Sequence, residues 1–182
     1  MKHDEIIRLC GKERGQSFSQ AADCAREREV KCIIETGTYR GAACDGESTA
    51  FLSQFAEELG SDFYSVDKSE AHVTLAKQHL DSLGLKGSCA LSDSVVFLSL
   101  FMSPIGMLYL DSYDYDENNP LPAQVHQVAE LGAAWGKLTP HCVVLLDDCN
   151  LPGGGKGHLS TILLLEHGFE LKYDSYQRLF VR

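Results

Sequence analysis

Apolar runs alternate with amphipathic stretches along most of this chain, and the alternation predicts strands and helices taking turns. Mostly apolar runs at 31–35, 63–66, 87–91, 106–110 and 142–146 read as buried strands. Periodic positions between them predict helices at 48–59, where Phe51, Leu52, Phe55 and Leu59 share a face, and at 69–83, with Val73, Leu75, Ala76 and Leu80. Further helices are read at 95–101, 122–137 and 158–167, and two more, 2–10 and 17–28, precede the first strand. Ser48 is placed to cap one helix and Gly84 to stop another. Strands joined through helices pair in parallel with right-handed crossovers. The last two runs, 169–173 and 176–181, are joined only by Asp174 and Ser175, which makes them an antiparallel hairpin at the sheet edge. The expectation is one α/β domain over 1–182, with a seven-stranded, mostly parallel sheet, helices on both faces and an antiparallel C-terminal β-hairpin.

The composition narrows this picture. A chain of 182 residues is long enough for one domain that buries roughly 70% of its unfolded surface. Sixteen Lys and Arg against 26 Asp and Glu give a net charge of −10, which repels phosphates and anionic membrane surfaces. Lys12, Arg14, Arg26, Arg28 and Lys31 form the densest basic group, but they alternate with acids in what reads as a solvated helix face. The partners expected are therefore neither nucleic acid nor membrane. Seven cysteines without C-x-x-C or zinc spacing suit a reducing cytoplasm, and no run of 18 apolar residues is long enough to span a membrane.

Four strand ends deliver acids: Glu35, Asp67, Asp111 and the pair Asp147 and Asp148. In open parallel sheets, ligands bind at the carboxyl ends of the strands. The first strand runs into Glu35-Thr36-Gly37-Thr38-Tyr39-Arg40-Gly41, whose two glycines let a backbone approach a ligand. This is not the G-x-G-x-x-G of dinucleotide binding. An acid before two glycines suits a cofactor carrying an ammonium group, and S-adenosylmethionine fits that description.

With these elements in place, the chain resembles the class I S-adenosylmethionine-dependent methyltransferases from Val30 to Arg182. The resemblance implies a Rossmann-like sheet and methyl transfer to an oxygen of a small polar acceptor. It assigns Glu35, Gly37, Thr38 and Gly41 to the cofactor loop, Asp67 to the ribose hydroxyls and Ser92-Asp93-Ser94 to the adenine, with Lys68, Asp111 and Tyr113 completing the cofactor-binding set. Asp111, Asp147 and Asp148 are similar to the metal-binding acids of magnesium-dependent O-methyltransferases of the catechol and macrocin types, which implies Mg²⁺ there. The chain also departs from the pattern. Residues 42–47 read as an insertion, and Asp114 stands where catechol-type enzymes carry a lysine base. Residues 1–29 fall where such enzymes build a substrate lid or a dimer contact, which leaves a homodimer open.

Other positions are weighed beside these. Asp111 and His126 are the catalytic candidates, His126 sharing a helix face with Glu130, although helical histidines more often pack or face solvent. The segment Gly153-Gly154-Gly155-Lys156-Gly157 is no P-loop; it reads as a flexible lid bringing Lys156 to an anionic substrate, or as a plain turn. Asn150 is a further neutral oxygen ligand, and Trp135, Val125, Val128, Ala129 and Leu131 are expected to pack their helix on the sheet. Three rivals remain: an NAD(P)-dependent oxidoreductase, a non-catalytic module that binds the cofactor, and a metal-dependent enzyme of the same fold.

Overall fold

The computed structural model describes residues 10–41 and 47–182; the expected helix at 2–10 and most of the 42–47 insertion lie outside them. The elements run α1 (Lys12–Glu27), β1 (Cys32–Thr36), α2 (Glu47–Leu59), β2 (Asp62–Asp67), α3 (Glu70–Leu83), β3 (Ser88–Leu91), α4 (Ser94–Leu100) and β4 (Ile105–Leu110). They continue with α5 (Leu121–Ala134), a 3-10 turn (Trp135–Lys137), β5 (Leu138–Leu146), a second 3-10 turn (Pro152–Gly154), α6 (His158–Glu166), β6 (Glu170–Asp174) and β7 (Arg178–Val181). The seven strands form one sheet in the order β3-β2-β1-β4-β5-β7-β6, parallel except for β7, which runs antiparallel to both β5 and β6.

Local signals set several boundaries. Ser69 caps α3 by accepting the His72 amide, and Gly84 ends that helix in the left-handed region at φ +68°. Ser48 is not a cap, because α2 begins one residue earlier and the Ser48 hydroxyl is used elsewhere. Helix α1 starts five residues before the expected 17, and β5 starts at Leu138, before the apolar run at 142.

Strand alternation sorts the sheet residues onto two faces. On one face, Ile33, Met107, Tyr109, Val143 and Leu145 pack against Phe18, Ala21 and Ala22 of α1 and Phe51, Leu52 and Phe55 of α2. Phe18 is the hinge of this layer, its ring 4.9 Å from Phe51 and 5.1 Å edge-on to Tyr109. On the other face, Ile34, Leu108, Val144 and Leu146 meet Leu98 of α4, Leu131 and Ala134 of α5 and Leu164 of α6. So α1 is a core helix, and its arginine at position 14 is carried on the face that also holds the odd-numbered strand-end acids.

Helix α5 packs on the sheet through Leu131, with Trp135 against the same cluster, as expected, but Val125 and Ala129 do not take part. Val125 is half exposed and Ala129 exposed, while Gln124, Gln127 and Glu130 are buried beside Leu131. Buried amides and carboxylates need partners: Gln124 and Glu130 find them in the loops above the sheet and Gln127 at the Leu110 carbonyl that ends β4, while Gln127 Oε1 and Glu130 Oε2 are left without one.

Candidate active site

A cavity of about 480 Å³ opens at the carboxyl ends of β1, β2, β4 and β5, within the size range of small-molecule sites. The strand order divides its lining. The β2 and β3 ends contribute Asp67, Lys68, Asp93 and Ser94, whereas the β4 and β5 side contributes Asp111, Tyr113, Asp148 and Lys156; Gly37 and Thr38 lie between.

Gly37 has to be glycine. Its φ is +81°, and a Cβ there would stand 2.6 Å from the Asp111 carbonyl oxygen. The loop after β1 therefore lies directly on the end of β4. Asp67 closes β2 and faces the cavity; its Oδ1 accepts the Ser69 amide at 2.7 Å and its Oδ2 lies 3.4 Å from both the Thr38 amide and His72 Nδ1. Asp93 lines the wall too, with one carboxylate oxygen accepting the Val96 amide as the cap of α4. Lys68 reaches over the Tyr113 ring.

Glu35 stands behind this wall, and neither it nor Gly41 lines the cavity. Alternation puts Glu35 on the α2 face with Ile33, where it is 1% exposed. Ser48 Oγ donates to Oε1 at 2.6 Å, and Thr49 Oγ1 and Ser65 Oγ donate to Oε2 at 2.7 and 2.6 Å. Burial pushes its carboxyl up to about 7, although the three hydroxyls pull the other way. Glu35 thus ties the start of α2 to the ends of β1 and β2.

The β4 and β5 ends build an ionic cluster. Lys156 Nζ lies 2.8 Å from Asp111 Oδ1 and 2.8 Å from Asp148 Oδ2. Arg14 Nη2, from α1, bonds Asp147 Oδ2 and lies 3.4 Å from Asp111 Oδ2. Tyr109 Oη is 2.9 Å from Asp147 Oδ2 and accepts Gln177 Nε2 at 3.1 Å, while Ser17 Oγ donates to Gln177 and Tyr176 Oη to Asp148 Oδ1. Burial raises the Asp111 carboxyl, but Lys156 and then Arg14 outweigh it and hold the group down at about 2. Asp147 moves the opposite way, pushed well up by complete burial and next by the Asp111 charge. Asp148 sits in left-handed backbone at φ 52°, as does Tyr113 at φ 66°, a conformation that non-glycine residues adopt at a cost of about 1–3 kcal/mol.

These residues do not fit a divalent ion. Every oxygen of Asp111 and Asp148 already faces a cation or a tyrosine hydroxyl, and the one unpartnered oxygen, Asp147 Oδ1, is fully buried. Asn150 is exposed and outside the lining. Among the described residues no group of three His, Cys, Asp or Glu is arranged to hold a metal.

His126 lies on the cavity wall with Ser94 Oγ 3.2 Å and Glu130 Oε1 3.5 Å from its Nε2, and with the Tyr113 ring 5.2 Å away. Its hydrogen bond to Glu130 raises its pKa above the ordinary histidine value against the effect of burial. Glu130 also accepts Ser112 Oγ. The buried amide of Gln124 holds the glycine-rich loop, because its Nε2 donates to the Gly153 and Gly155 carbonyls at 3.1 and 3.0 Å. In the structure that segment is a turn closed over the cavity rim by these bonds. Cys149 is 1% exposed with its thiol pushed up to about 12 by burial, an inert group; the six described cysteines form no disulfide.

No protein-family model and no curated protein matches the sequence. Solved structures do match the fold. The S-adenosylhomocysteine-bound methyltransferase PaMTH1 of Podospora anserina superposes with a TM-score of 0.66 at 15% identity, over 94% of this chain and 79% of its own. Its fold is that of a methyltransferase. An rRNA methylase of Streptococcus thermophilus (TM-score 0.56, 13% identity) covers 90% of this chain and 93% of its own. A T. thermophilus 16S rRNA methyltransferase in complex with S-adenosylmethionine and guanosine (0.57, 15%) covers 89% of this chain and 41% of its own.

These neighbours overturn the exclusion of nucleic acid drawn from net charge. Proteins described as acting on rRNA share this fold, and a sum of −10 over the whole chain says nothing of the potential at one cavity. No helix among the described residues is long and apolar enough to cross a membrane.

Sequence reasoning missed Arg14, Tyr109, Tyr176 and Gln177, and named Glu130 only as sharing a helix face with His126. For Gln177 a signal existed, a polar residue in alternation with the apolar Leu179 and Val181, whereas Arg14 read as one charge of a solvated helix face.

Proposed function

We propose that this protein transfers the methyl group of S-adenosylmethionine to an oxygen of a polar acceptor seated at the β4 and β5 end of the cavity. The observation that carries this reading is the Asp67 carboxylate at the tip of β2, facing the cavity beside the Gly37 loop, on a methyltransferase fold. In this reading Asp67 accepts the ribose hydroxyls, Asp93, Ser94 and Tyr113 wall the adenine, and Gly37 and Thr38 present backbone to the remainder. Bound S-adenosylmethionine supplies a methyl carbon on a positively charged sulfur, so the chain has only to position the partners and favour a deprotonated acceptor. His126 belongs to the cofactor end, because its neighbours are Ser94 and Tyr113. Asp111, held as a carboxylate, is a weak base and serves to orient.

Calorimetric titration with S-adenosylhomocysteine tests the reading. Micromolar binding to the wild-type protein, weakened at least about tenfold in Asp67→Ala by loss of a charge-assisted hydrogen bond, is the expected result; no binding to the wild type overturns it. A second reading, an RNA acceptor, is favoured by the rRNA methylases among the structural neighbours. Incubation with methyl-labelled S-adenosylmethionine, with RNA and with a panel of small hydroxylated compounds in parallel, separates the two by where the label appears.

A further inference from the structure

Three carboxylates at the ends of β4 and β5 would ordinarily gather a hard cation with open oxygens and water around it. Here two basic side chains of the chain itself already fill that role. Lys156 is 3% exposed, and it is delivered by a tightly turned loop. Gly153, Gly154 and Gly155 all have positive φ, a Cβ on Gly155 would collide with the Asp148 carbonyl, and Gln124 pins the loop from α5. The Lys156 amide in turn donates to the Asp148 carbonyl at 2.9 Å. Two of the three ammonium N–H groups face Asp111 and Asp148 at 2.8 Å, and the third has no partner among the described residues while Lys156 lines the cavity.

We propose that the acceptor end of this site works without a metal: Lys156, backed by Arg14 from α1, supplies the positive charge, and its remaining N–H meets the acceptor oxygen. The role of the acceptor rests on the methyltransferase reading; the exclusion of a divalent ion does not. A metal ion placed among these aspartates would confront an ammonium and a guanidinium within a few ångströms, in surroundings where like charges repel strongly. An ammonium there favours the ionised form of an acceptor hydroxyl, as a metal would, but as a directional donor whose charge is permanent near neutral pH.

The test is Mn²⁺ binding to the full chain, followed by electron paramagnetic resonance, beside calorimetry with S-adenosylhomocysteine in Mg²⁺ and in EDTA. Wild type is expected to show no saturable Mn²⁺ site at millimolar ion, and Lys156→Ala to bind Mn²⁺ about tenfold or more tighter once the competing charge is gone. Lys156→Arg, which keeps the charge, should exclude the ion like wild type. A tight Mn²⁺ site in the wild type, or no gain in a folded Lys156→Ala, overturns the proposal. If Lys156→Ala fails to fold, the wild-type and Lys156→Arg titrations decide. Failure of S-adenosylhomocysteine to bind would remove the methyltransferase reading but leave the Mn²⁺ result standing.

Discussion

The backbone of Gly37 lies so close to that of Asp111 that a single added carbon would sit 2.6 Å from the Asp111 carbonyl oxygen. The ends of β1 and β4 are thereby joined at the centre of the cavity. Gly37→Ala has to shift one of two backbones and also hold alanine at φ +81°. We expect a loss of about 2–4 kcal/mol in urea unfolding, together with weaker S-adenosylhomocysteine binding. An unchanged midpoint would show that the loop can move aside.

Glu35 makes stability depend on pH in a recognisable window. Its carboxyl is raised from 4.5 to about 7 in the folded protein, so between those values the folded state keeps a proton that the unfolded chain has released. Its contribution therefore falls as pH rises from about 4.5 to 7, by on the order of 3 kcal/mol. Glu35→Gln should flatten that slope in denaturation curves collected at several pH values; parallel slopes for the two proteins would contradict it.

Glu130 is expected to hold the charge on His126. Replacement by Gln turns the charge-assisted hydrogen bond that raises the histidine into a neutral one, and the His126 ring should titrate at lower pH by nuclear magnetic resonance. Because the folded value is raised, the stability from this pair is complete below the unfolded histidine value near 6.5 and is lost as pH rises through the folded one. An unmoved His126 titration in the variant would mean that Ser94 and burial set it instead.

Phe18→Ala opens a void between α1, α2 and Tyr109 and should cost about 3–5 kcal/mol. Since α1 also carries Arg14, the loosened helix should weaken the ionic cluster as well. The check is a thermal scan paired with the Mn²⁺ titration. A drop in stability with metal exclusion intact would show that Arg14 is held independently of Phe18.

The seven strands, their mostly parallel pairing and the closing hairpin were legible, but not the strand order, because buried parallel strands leave apolar runs that helical periodicity interrupts and Asp174-Ser175 leaves room for little but a hairpin. Gly37, Asp67 and Asp111 were legible for the same reason, as they terminate strands at a known edge of the sheet. The buried polar face of α5 was not. Apolarity pointed rightly to Leu131 and Trp135 and wrongly to Val125 and Ala129, because the helix turns Gln124, Gln127 and Glu130 inward toward loop carbonyls, the Leu110 carbonyl and His126. Nor was the resident charge on the aspartates: nothing local marks Arg14, and Lys156 gains its meaning only when three glycines fold it back onto Asp148.

The contact from Ser17 to Gln177 spans 160 positions of sequence, and the one from Arg14 to Asp147 spans 133. Such closures are among the slowest events in folding, since the intervening chain must first be ordered. The polar floor of the cavity is therefore complete only when the segment ahead of the last strand is docked on the first helix, and a protein caught with it undocked would lack the finished site. An intact cavity floor thus reports the joining of distant segments, which makes ligand binding there a stricter gauge of complete folding than helix content.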